Sequence, residues 1–263
     1  KKDLMIYKKN IFDVGAYNGI DGLALAEKNP DTLVNAFEAN KDLIKVIVKL
    51  KKKIEYRIGR KIQNYKIHNI AVSNKSKVSY FYIAKNPTVS SLHKFSKNLD
   101  KFWPGYKEAH CHTVKKVKVK TLTLKEFCKR NKIKNINYLH IDTQGNDLNI
   151  LKGLGDLIKI VKRGVIESSL SKKNSLYQNN HTLDETKKFF KKYDFLINKT
   201  EDIESSAGNE INIYYQKKNL NNFKDINLKY NHRYYNRLLD NRTQLKDDIK
   251  DLLLRVFNFF KKA

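Results

Sequence analysis

In NIFDVGAYNG, residues 10–19, a short apolar run ends at a glycine turn, and this pattern is the strongest indication of the fold. The run has the length and composition of a buried strand, and residues 21–28 have the periodicity of a helix. Gly15 allows a tight turn, and Gly19 leaves the helix start without a side chain. The spacing is G-x-x-x-G rather than the G-x-G-x-x-G of dinucleotide folds, which disfavours a nicotinamide oxidoreductase.

Outward from this turn, strands and helices are predicted to alternate as far as about residue 216. Strands are expected at 33–38, 66–72, 117–122, 136–142, 163–168, 195–199 and 210–216, and helices at 41–54, 123–131, 147–152 and 183–193. The alternating run 77–83 is expected to form a hairpin with the third strand, 66–72. The repeated order predicts an α/β fold, a mostly parallel sheet with helices on both faces. Ligands of such sheets lie outside the carboxyl ends of the strands.

Acidic side chains end the first two strands. Glu38 lies about 20 residues beyond the glycine turn, the separation at which a carboxylate reaches a ribose diol. Because a carboxylate can accept from two hydroxyls at once, Glu38 is predicted to bind a ribose. The alternative is that Glu38 binds no ligand and lies at the N-terminus of the following helix, where the helix dipole favours a negative charge. Asp13 is interpreted as the acceptor of a hydrogen bond from an ammonium group, directly or through water.

A third segment, YLHIDTQGND at residues 138–147 with LKG at 151–153, narrows the interpretation. With the glycine turn and Glu38, it resembles the FkbM-type family of class I S-adenosylmethionine-dependent methyltransferases. That family usually shows K/H-I-D-x-E/Q-G-x-E followed by L-K-G. Gln144 takes the Glu/Gln place, and Asp147 takes the usual Glu place. Residues 175–177 and 183–195 are similar to the later region of the family, so the resemblance covers residues 10–217.

The resemblance implies a Rossmann-like methyltransferase fold, S-adenosylmethionine as cofactor, and methyl transfer to a hydroxyl of a sugar, glycan or related metabolite. It also implies which residues surround the cofactor. These are Asp13, Gly15, Ala16, Asn18 and Gly19 at the methionine end, Glu38 at the ribose, Ala39, Ala71 and Val72 at the adenine, and Ser91, of the pair Ser90–Ser91, nearby.

Two residues of the 138–147 segment are candidates for catalysis. A protonated hydroxyl is a poor nucleophile, so a base within hydrogen-bond reach assists methyl transfer. His140 and Asp142 lie on one side of a strand, with Asp142 at its carboxyl end. We assign Asp142 a positioning or proton-accepting role, with His140 as its neighbour or the alternative base. A buried structural histidine and a capping aspartate are the alternatives. Glu167 and His181 are weaker candidates, because such residues are more often at the surface or in helix caps.

The formal charge is +27, and 46 of the 54 basic residues are Lys. Such a charge favours polyanions or anionic membrane surfaces, but Lys and Asn excess also follows from drift in an AT-rich coding sequence. Nucleic-acid sites favour the planar fork of Arg, which is scarce here. A ribose-directed RNA methyltransferase and a non-catalytic cofactor-fold binding protein are therefore alternatives, with nucleic acid not favoured as a partner.

Residues 85–113 have no clear periodicity and read as a long loop. Phe102, Trp103 and Tyr106 are interpreted either as a wall that excludes water over a sugar ring or as simple packing onto the core. The run 110–112, His-Cys-His, lacks a matched second pair of ligands, so we predict no metal site. Two cysteines exclude a disulfide scaffold.

Residues 1–218 are predicted to form the methyltransferase domain and residues 219–263 a C-terminal helical extension. Apolar residues of the tail recur at helical spacing, which predicts an amphipathic helix that packs on the domain or a sister subunit, or docks on a membrane surface. No apolar run is long enough to cross a bilayer. We expect a cytoplasmic protein, with peripheral membrane association as an option. The sequence begins with Lys1 rather than Met, so we expect further residues upstream, where a targeting segment would lie.

Overall fold

The computed structural model describes residues 7–203, 209–220 and 226–239, in which strands and helices alternate as predicted. The strands are β1 (Lys9–Val14), β2 (Thr32–Phe37), β3 (Tyr65–His68), β4 (Ala71–Val72), β5 (Val78–Ala84), β6 (Thr113–Leu122), β7 (Tyr138–Ile141), β8 (Arg163–Ser169), β9 (Phe195–Asp202) and β10 (Glu210–Lys217). The helices are α1 (Ile20–Lys28), α2 (Lys41–Ile58), α3 (Leu99–Phe102), α4 (Leu124–Arg130), α5 (Asp147–Lys152), α6 (Leu183–Lys192) and α7 (His232–Leu239).

The large sheet has the strand order β3-β2-β1-β7-β8-β10-β9. Neighbouring strands from β3 to β8 pair in parallel, and β10 pairs antiparallel with both β8 and β9. The mostly parallel α/β fold is therefore confirmed. The strand order reverses beside β1, where β2 lies on one side and β7 on the other. The carboxyl ends of β1 and β7 meet at this point, which is where open α/β sheets bind ligands.

Helices cover the sheet on two faces because successive side chains of each strand point to opposite faces. On β1, Ile11 packs with α1 and α2, whereas Phe12 packs with the helices that follow β6, β7 and β8. Both side chains are fully buried. An apolar core on each side of the sheet holds the strand ends in fixed positions. The residues that directly follow each strand are therefore held in fixed positions as well.

The predicted hairpin between runs 66–72 and 77–83 is wrong. The first run divides into β3, at the edge of the large sheet, and β4, in a separate sheet of order β4-β6-β5. The second run, β5, pairs antiparallel with β6 instead. β6 is a ten-residue strand that pairs with β4 on one side and β5 on the other. Closeness in sequence favours a local hairpin with the run 66–72. β5 pairs instead with the longer strand β6, which follows the loop 85–113 in the chain.

The predicted tail helix falls only partly within the described residues. α7 packs on the α1 and α2 face, where Tyr235 and Leu238 join the apolar cluster. The remainder of the predicted helix, residues 240–263, lies outside the described residues. In the parts of the chain that the structure covers, no helix combines the length and the apolar character needed to cross a membrane.

Candidate active site

A cleft that is partly open to solvent lies at the carboxyl ends of β1, β2 and β7. Five residues predicted at the cofactor and one predicted catalyst line it: Gly15, Glu38, Ala39, Ala71, Val72 and Asp142. Its outer wall comes from β5 and the loop 85–113, through residues that include Phe81, Pro87, Thr88 and Ser90. The sequence motifs did not identify the residues of this wall except Ser90, because they reach the cleft through the pairing of β5 with β6.

Glu38 is held rigidly at the edge of the cleft. Its Oε2 accepts from the backbone N–H of Tyr17 at 2.8 Å, and its Oε1 accepts from that of Asn40 at 2.7 Å. The residue is 6% exposed. Burial raises the pKa of Glu38 to about 7, while the backbone hydrogen bonds from Asn40 and Tyr17 act to lower it. Each oxygen keeps a lone pair that can accept from a further donor.

The glycine turn joins the strands closely. Gly15 and Gly19 have φ values of 88° and 79°, which favour glycine. A β-carbon on Gly15 would collide with the carbonyl oxygen of Asp142, and one on Gly19 would press on Ile47. Gly15 therefore permits the approach of β1 to β7 as well as lining the cleft.

Three other residues of the predicted methionine-end set lie beside or behind the cleft. Asn18 Oδ1 accepts from the N–H of Ile20 at 3.1 Å, at the start of α1. Ala16 is buried, and its N–H donates to the carbonyl of Phe37 at 3.0 Å. Asp13, 1% exposed, lies under α1, where a β-carbon on Gly22 would press on its Oδ2.

His140 pairs with Asp13 because β1 and β7 place them directly opposite each other. Its Nδ1 lies 2.9 Å from Asp13 Oδ1, whereas Asp13 Oδ2 is buried without a hydrogen-bond partner among the described residues. Burial lowers the pKa of His140, but the hydrogen bond and charge of Asp13 outweigh it and raise the pKa to about 9. His140 lines a second cavity, together with Tyr138, Arg163 and other residues, rather than the cleft that contains Glu38.

Asp142 belongs to a hydrogen-bonded network at the ends of β7 and β8. Gln144 Nε2 donates to Asp142 Oδ1 at 2.8 Å and to Glu167 Oε2 at 3.2 Å. Gln144 Oε1 accepts from the hydroxyl of Tyr177 at 2.7 Å. Gln144 has a φ of 57°, a value uncommon for a residue other than glycine. Such strain persists where the surroundings fix it, as this network does.

Burial and mutual repulsion shift the pKa values of a group of carboxyls here. Burial raises the pKa of Asp142, with attraction to His140 acting in the opposite direction. Burial and the charge of Asp142 raise the pKa of Asp147 to about 7 and that of Glu210 to about 8. The same causes raise the pKa of Glu167 well above its ordinary value. Carboxyls with raised pKa values are better proton acceptors when ionised.

Ser91, predicted near the cofactor, ties the loop 85–113 to the turn after β7. Its Oγ donates to the carbonyl of Gln144 at 2.6 Å and accepts from the N–H of His93 at 2.9 Å. Its neighbour Ser90 lines the cleft, and its Oγ accepts from the N–H of Ala84. His181, a weaker candidate, lies 3.0 Å by its Nε2 from Asn149 Oδ1.

The aromatic residues of the loop pack on its interior. Phe102, Trp103 and Tyr106 surround Leu176 and Tyr177 in a small apolar cluster. This position agrees with the packing interpretation of these residues. Cys111 is buried, and no group of three or more His, Cys, Asp or Glu side chains in the described ranges is arranged to hold a metal ion.

The lining of the cleft fits S-adenosylmethionine. Ala39, Ala71 and Val72 form an apolar slot beside Glu38, suited to a nucleoside base and its ribose. Among the described lining residues are two carboxylates, of Glu38 and Asp142, and no Lys or Arg. An acidic lining suits a ligand with a positively charged sulfonium and does not suit a pyrophosphate.

Comparison with known proteins supports this assignment. The family model described as "Methyltransferase FkbM domain" matches residues 13–197. A comparison with curated proteins gives no match. Among solved structures, the methyltransferase FkbM of Methylobacillus flagellatus aligns with 79% of this chain at 13% identity and a TM-score of 0.47. This chain spans 43% of the length of that protein.

Two further solved structures align with most of this chain. TrmK of M. capricolum, in complex with S-adenosylhomocysteine, aligns with 95% of this chain and 80% of its own, at 16% identity and a TM-score of 0.42. Fibrillarin of Aeropyrum pernix, with S-adenosylmethionine bound, aligns with 80% and 67%, at 7% identity and a TM-score of 0.41.

Proposed function

Because the chain belongs to the FkbM methyltransferase family, we propose that it transfers a methyl group to a hydroxyl of a sugar or glycan. Its cofactor is S-adenosylmethionine, which when bound supplies a methyl group already activated on a sulfonium. The observation that carries the proposal is the position of Asp142. Its carboxylate ends β7 in the same cleft as Glu38, where a hydroxyl acceptor would need a proton acceptor.

In this proposal, Glu38 binds the ribose diol through the lone pairs that its two backbone hydrogen bonds leave free. Ala39, Ala71 and Val72 enclose the adenine. Gly15 gives the methionine part access to the backbone at the end of β1. Binding by groups that are already fixed loses little conformational entropy, which favours affinity.

Asp142 accepts the proton of the acceptor hydroxyl. Its raised pKa makes it a stronger base than an exposed aspartate, and the amide of Gln144 fixes its orientation. The same amide contacts Glu167, so the two carboxylates are held at a set separation. Fixed orientation of reacting groups is a large part of catalysis in a displacement reaction.

His140 acts in the proposal as a positioning residue rather than as the base. With a pKa of about 9, its imidazole is protonated at neutral pH and has no lone pair for a proton. As an imidazolium, it holds Asp13 through Nδ1 and stabilises the carboxylate of Asp142. Asp13 faces His140 with one oxygen, and its second oxygen is buried under α1, so Asp13 reaches the ammonium group of the cofactor only through a water.

The test measures binding and transfer separately. Calorimetry should show S-adenosylmethionine binding that Glu38→Ala weakens strongly, whereas the exposed Asp184→Asn leaves it unchanged. Incubation with methyl-labelled cofactor, followed by mass spectrometry, should then place the label on a hydroxyl oxygen in glycan extracts. Label found only in RNA would replace the proposal by ribose methylation of RNA. Cofactor binding without transfer to either extract would support a non-catalytic binding protein.

A further inference from the structure

The hairpin of β5 and β6 carries a basic and aromatic outer face that no single stretch of sequence shows. In the antiparallel register, Tyr80 lies opposite Lys118, and Tyr82 lies opposite Lys116. Lys120 extends the row opposite Val78. Directly opposed residues on one face of an antiparallel pair are close neighbours. We call Tyr80, Tyr82, Lys116, Lys118 and Lys120 the hairpin face.

The hairpin face is the outer side of an element whose inner side walls the active cleft. Side chains alternate along a strand, so Phe81 points to the opposite side from its two tyrosine neighbours. Phe81 is 7% exposed and lines the cleft with Glu38, whereas Tyr80 is 43% exposed. A polymer bound on the outer side would therefore lie within one strand's thickness of the cleft wall.

The basic surface continues into a groove beside the loop 85–113. Tyr82 and Lys116 of the hairpin face also line this groove, together with Lys94, Lys97 and His112. Asp100 is the acidic residue among its described lining. The hairpin face and the groove together contain five lysines, 94, 97, 116, 118 and 120, against one acid, which is far from the mixed charge of an ordinary solvated surface. A continuous row of ammonium groups complements a polymer with repeated negative charges.

A lysine ammonium group lies over the aromatic rings of the hairpin face. The ammonium nitrogen of Lys116 lies 3.6 Å from the centroid of the Tyr80 ring and 6.0 Å from that of Tyr82. Single-stranded nucleic acids bind proteins by stacking bases on bare aromatic rings, usually with Arg nearby. Here the rings support lysine ammonium groups instead, and the hairpin face contains no Arg. Point charges of this kind suit separate carboxylate groups better than they suit stacked bases.

We propose that the hairpin face and the adjoining groove bind an acidic polysaccharide, whose carboxylates pair with the lysine ammonium groups. The inference rests on the proposed function, because it names the class of glycan that carries the acceptor hydroxyl. It gives the basic surface a role in choosing the acceptor. Long-range attraction then concentrates an anionic glycan beside the cleft.

The experiment uses the full chain and three polymers of similar length: polygalacturonate, neutral dextran and poly(U) RNA. One variant carries Lys116→Gln, Lys118→Gln and Lys120→Gln. A matched control carries Lys187→Gln, Lys188→Gln and Lys191→Gln, three exposed lysines of α6. Both variants lower the formal charge equally, so the comparison separates the hairpin face from the overall charge.

Polygalacturonate should bind more tightly than dextran, and added salt should weaken its binding. The hairpin variant should lose about tenfold in affinity for polygalacturonate, and the α6 variant no more than about twofold. Equal losses in the two variants would assign binding to overall charge and overturn the inference. Equal binding of dextran, or tighter binding of poly(U) that depends on the hairpin lysines, would overturn it as well. Affinity for S-adenosylmethionine, measured in each variant, is independent of these outcomes and tests the proposed function by itself.

Discussion

At the scale of single residues, Glu38 shows how local backbone geometry prepares a binding carboxylate. The glycine turn brings the N–H of Tyr17 to one oxygen, and the start of α2 brings the N–H of Asn40 to the other. The two hydrogen bonds fix the carboxylate, while burial raises its pKa to about 7. The proton on this group should therefore control cofactor binding near neutral pH.

We predict that affinity for S-adenosylmethionine falls about tenfold between pH 8 and pH 6. Above its pKa of about 7, Glu38 is a carboxylate that can accept from both ribose hydroxyls, and below it the bound proton removes an acceptor site. Calorimetry at pH 6, 7 and 8 measures the change. Glu38→Gln should bind weakly with little pH dependence. A variant that kept the full pH dependence would show that another group is responsible.

Asp142 gives a second prediction, on catalysis rather than binding. Asp142→Asn keeps the shape of the side chain but removes the proton acceptor, so kcat should fall about 10²- to 10⁴-fold. The dissociation constant for S-adenosylmethionine should rise far less than kcat falls, because Glu38 holds the ribose and Asp142 contributes to binding only its charge in the cleft lining. Steady-state kinetics with the identified acceptor, beside calorimetry, separates the two quantities. An unchanged kcat would mean that solvent accepts the proton.

The ion pair of His140 and Asp13 predicts how stability depends on pH. The pKa of His140 is raised from 6.5 to about 9 in the folded protein. A raised pKa means that the pair stabilises the fold fully below pH 6.5 and that this contribution is lost as pH rises through 9. The midpoint of thermal unfolding should therefore fall by several degrees between pH 7 and pH 10. In His140→Gln, the fall over this range should be smaller, and an identical fall would refute the assignment to this pair.

At the scale of elements, sequence reasoning succeeds where the signal is local. The helix predicted at 123–131 is α4, and Thr123 caps its start, since its Oγ1 accepts from the N–H of Glu126 at 3.1 Å. The signal for a cap lies within four residues, so it can be read directly. The partner of β5 could not be read in this way, because β6 follows only after the loop 85–113. Local alternation shows that a strand exists and says nothing of which strand it pairs with.

The candidate site likewise combines features that a local sequence pattern predicts with contacts that it does not predict. Glu38 follows from its distance to the glycine turn, a spacing within one β–α–β unit. The pairing of Asp13 with His140 requires the order and register of β1 and β7, which no local pattern contains. The contact of Tyr177 with Gln144 requires the path of a loop as well. Long-range contacts are therefore the part of the site that only the structure provides.

The Tyr177 contact gives a prediction about how elements are joined. Its hydroxyl lies 2.7 Å from Gln144 Oε1 and 3.0 Å from the carbonyl of Val89, so it links the turn after β7 to the loop 85–113. Tyr177→Phe should lower the free energy of unfolding by about 1 kcal/mol and lower kcat, because Gln144 loses its fixed orientation. Urea unfolding and kinetics measure the two effects. Tyr234→Phe, at an exposed position on α7 away from the cleft and the hairpin face, is the control and should change neither.

In the molecule as a whole, the family match and the folded core end at different residues. The family model ends at residue 197, and the boundary of the methyltransferase domain was predicted at residue 218. Ile226, Tyr235 and Leu238 nevertheless pack in the apolar cluster of α1 and α2. The hydroxyl of Tyr235 also donates to the carboxylate of Glu27 on α1. The described part of the extension therefore completes one face of the core.

This packing predicts that the extension contributes to the stability of the whole fold. Tyr235, 1% exposed, fills the cluster, so Tyr235→Ala should lower the free energy of unfolding by about 3–5 kcal/mol through loss of burial and a cavity. Its neighbour Tyr234 is 40% exposed, and Tyr234→Ala should cost less than about 0.5 kcal/mol. Urea unfolding followed by circular dichroism measures both. Equal small losses would mean that the extension separates from the core before the core unfolds, and the boundary at residue 218 would then be a true domain boundary.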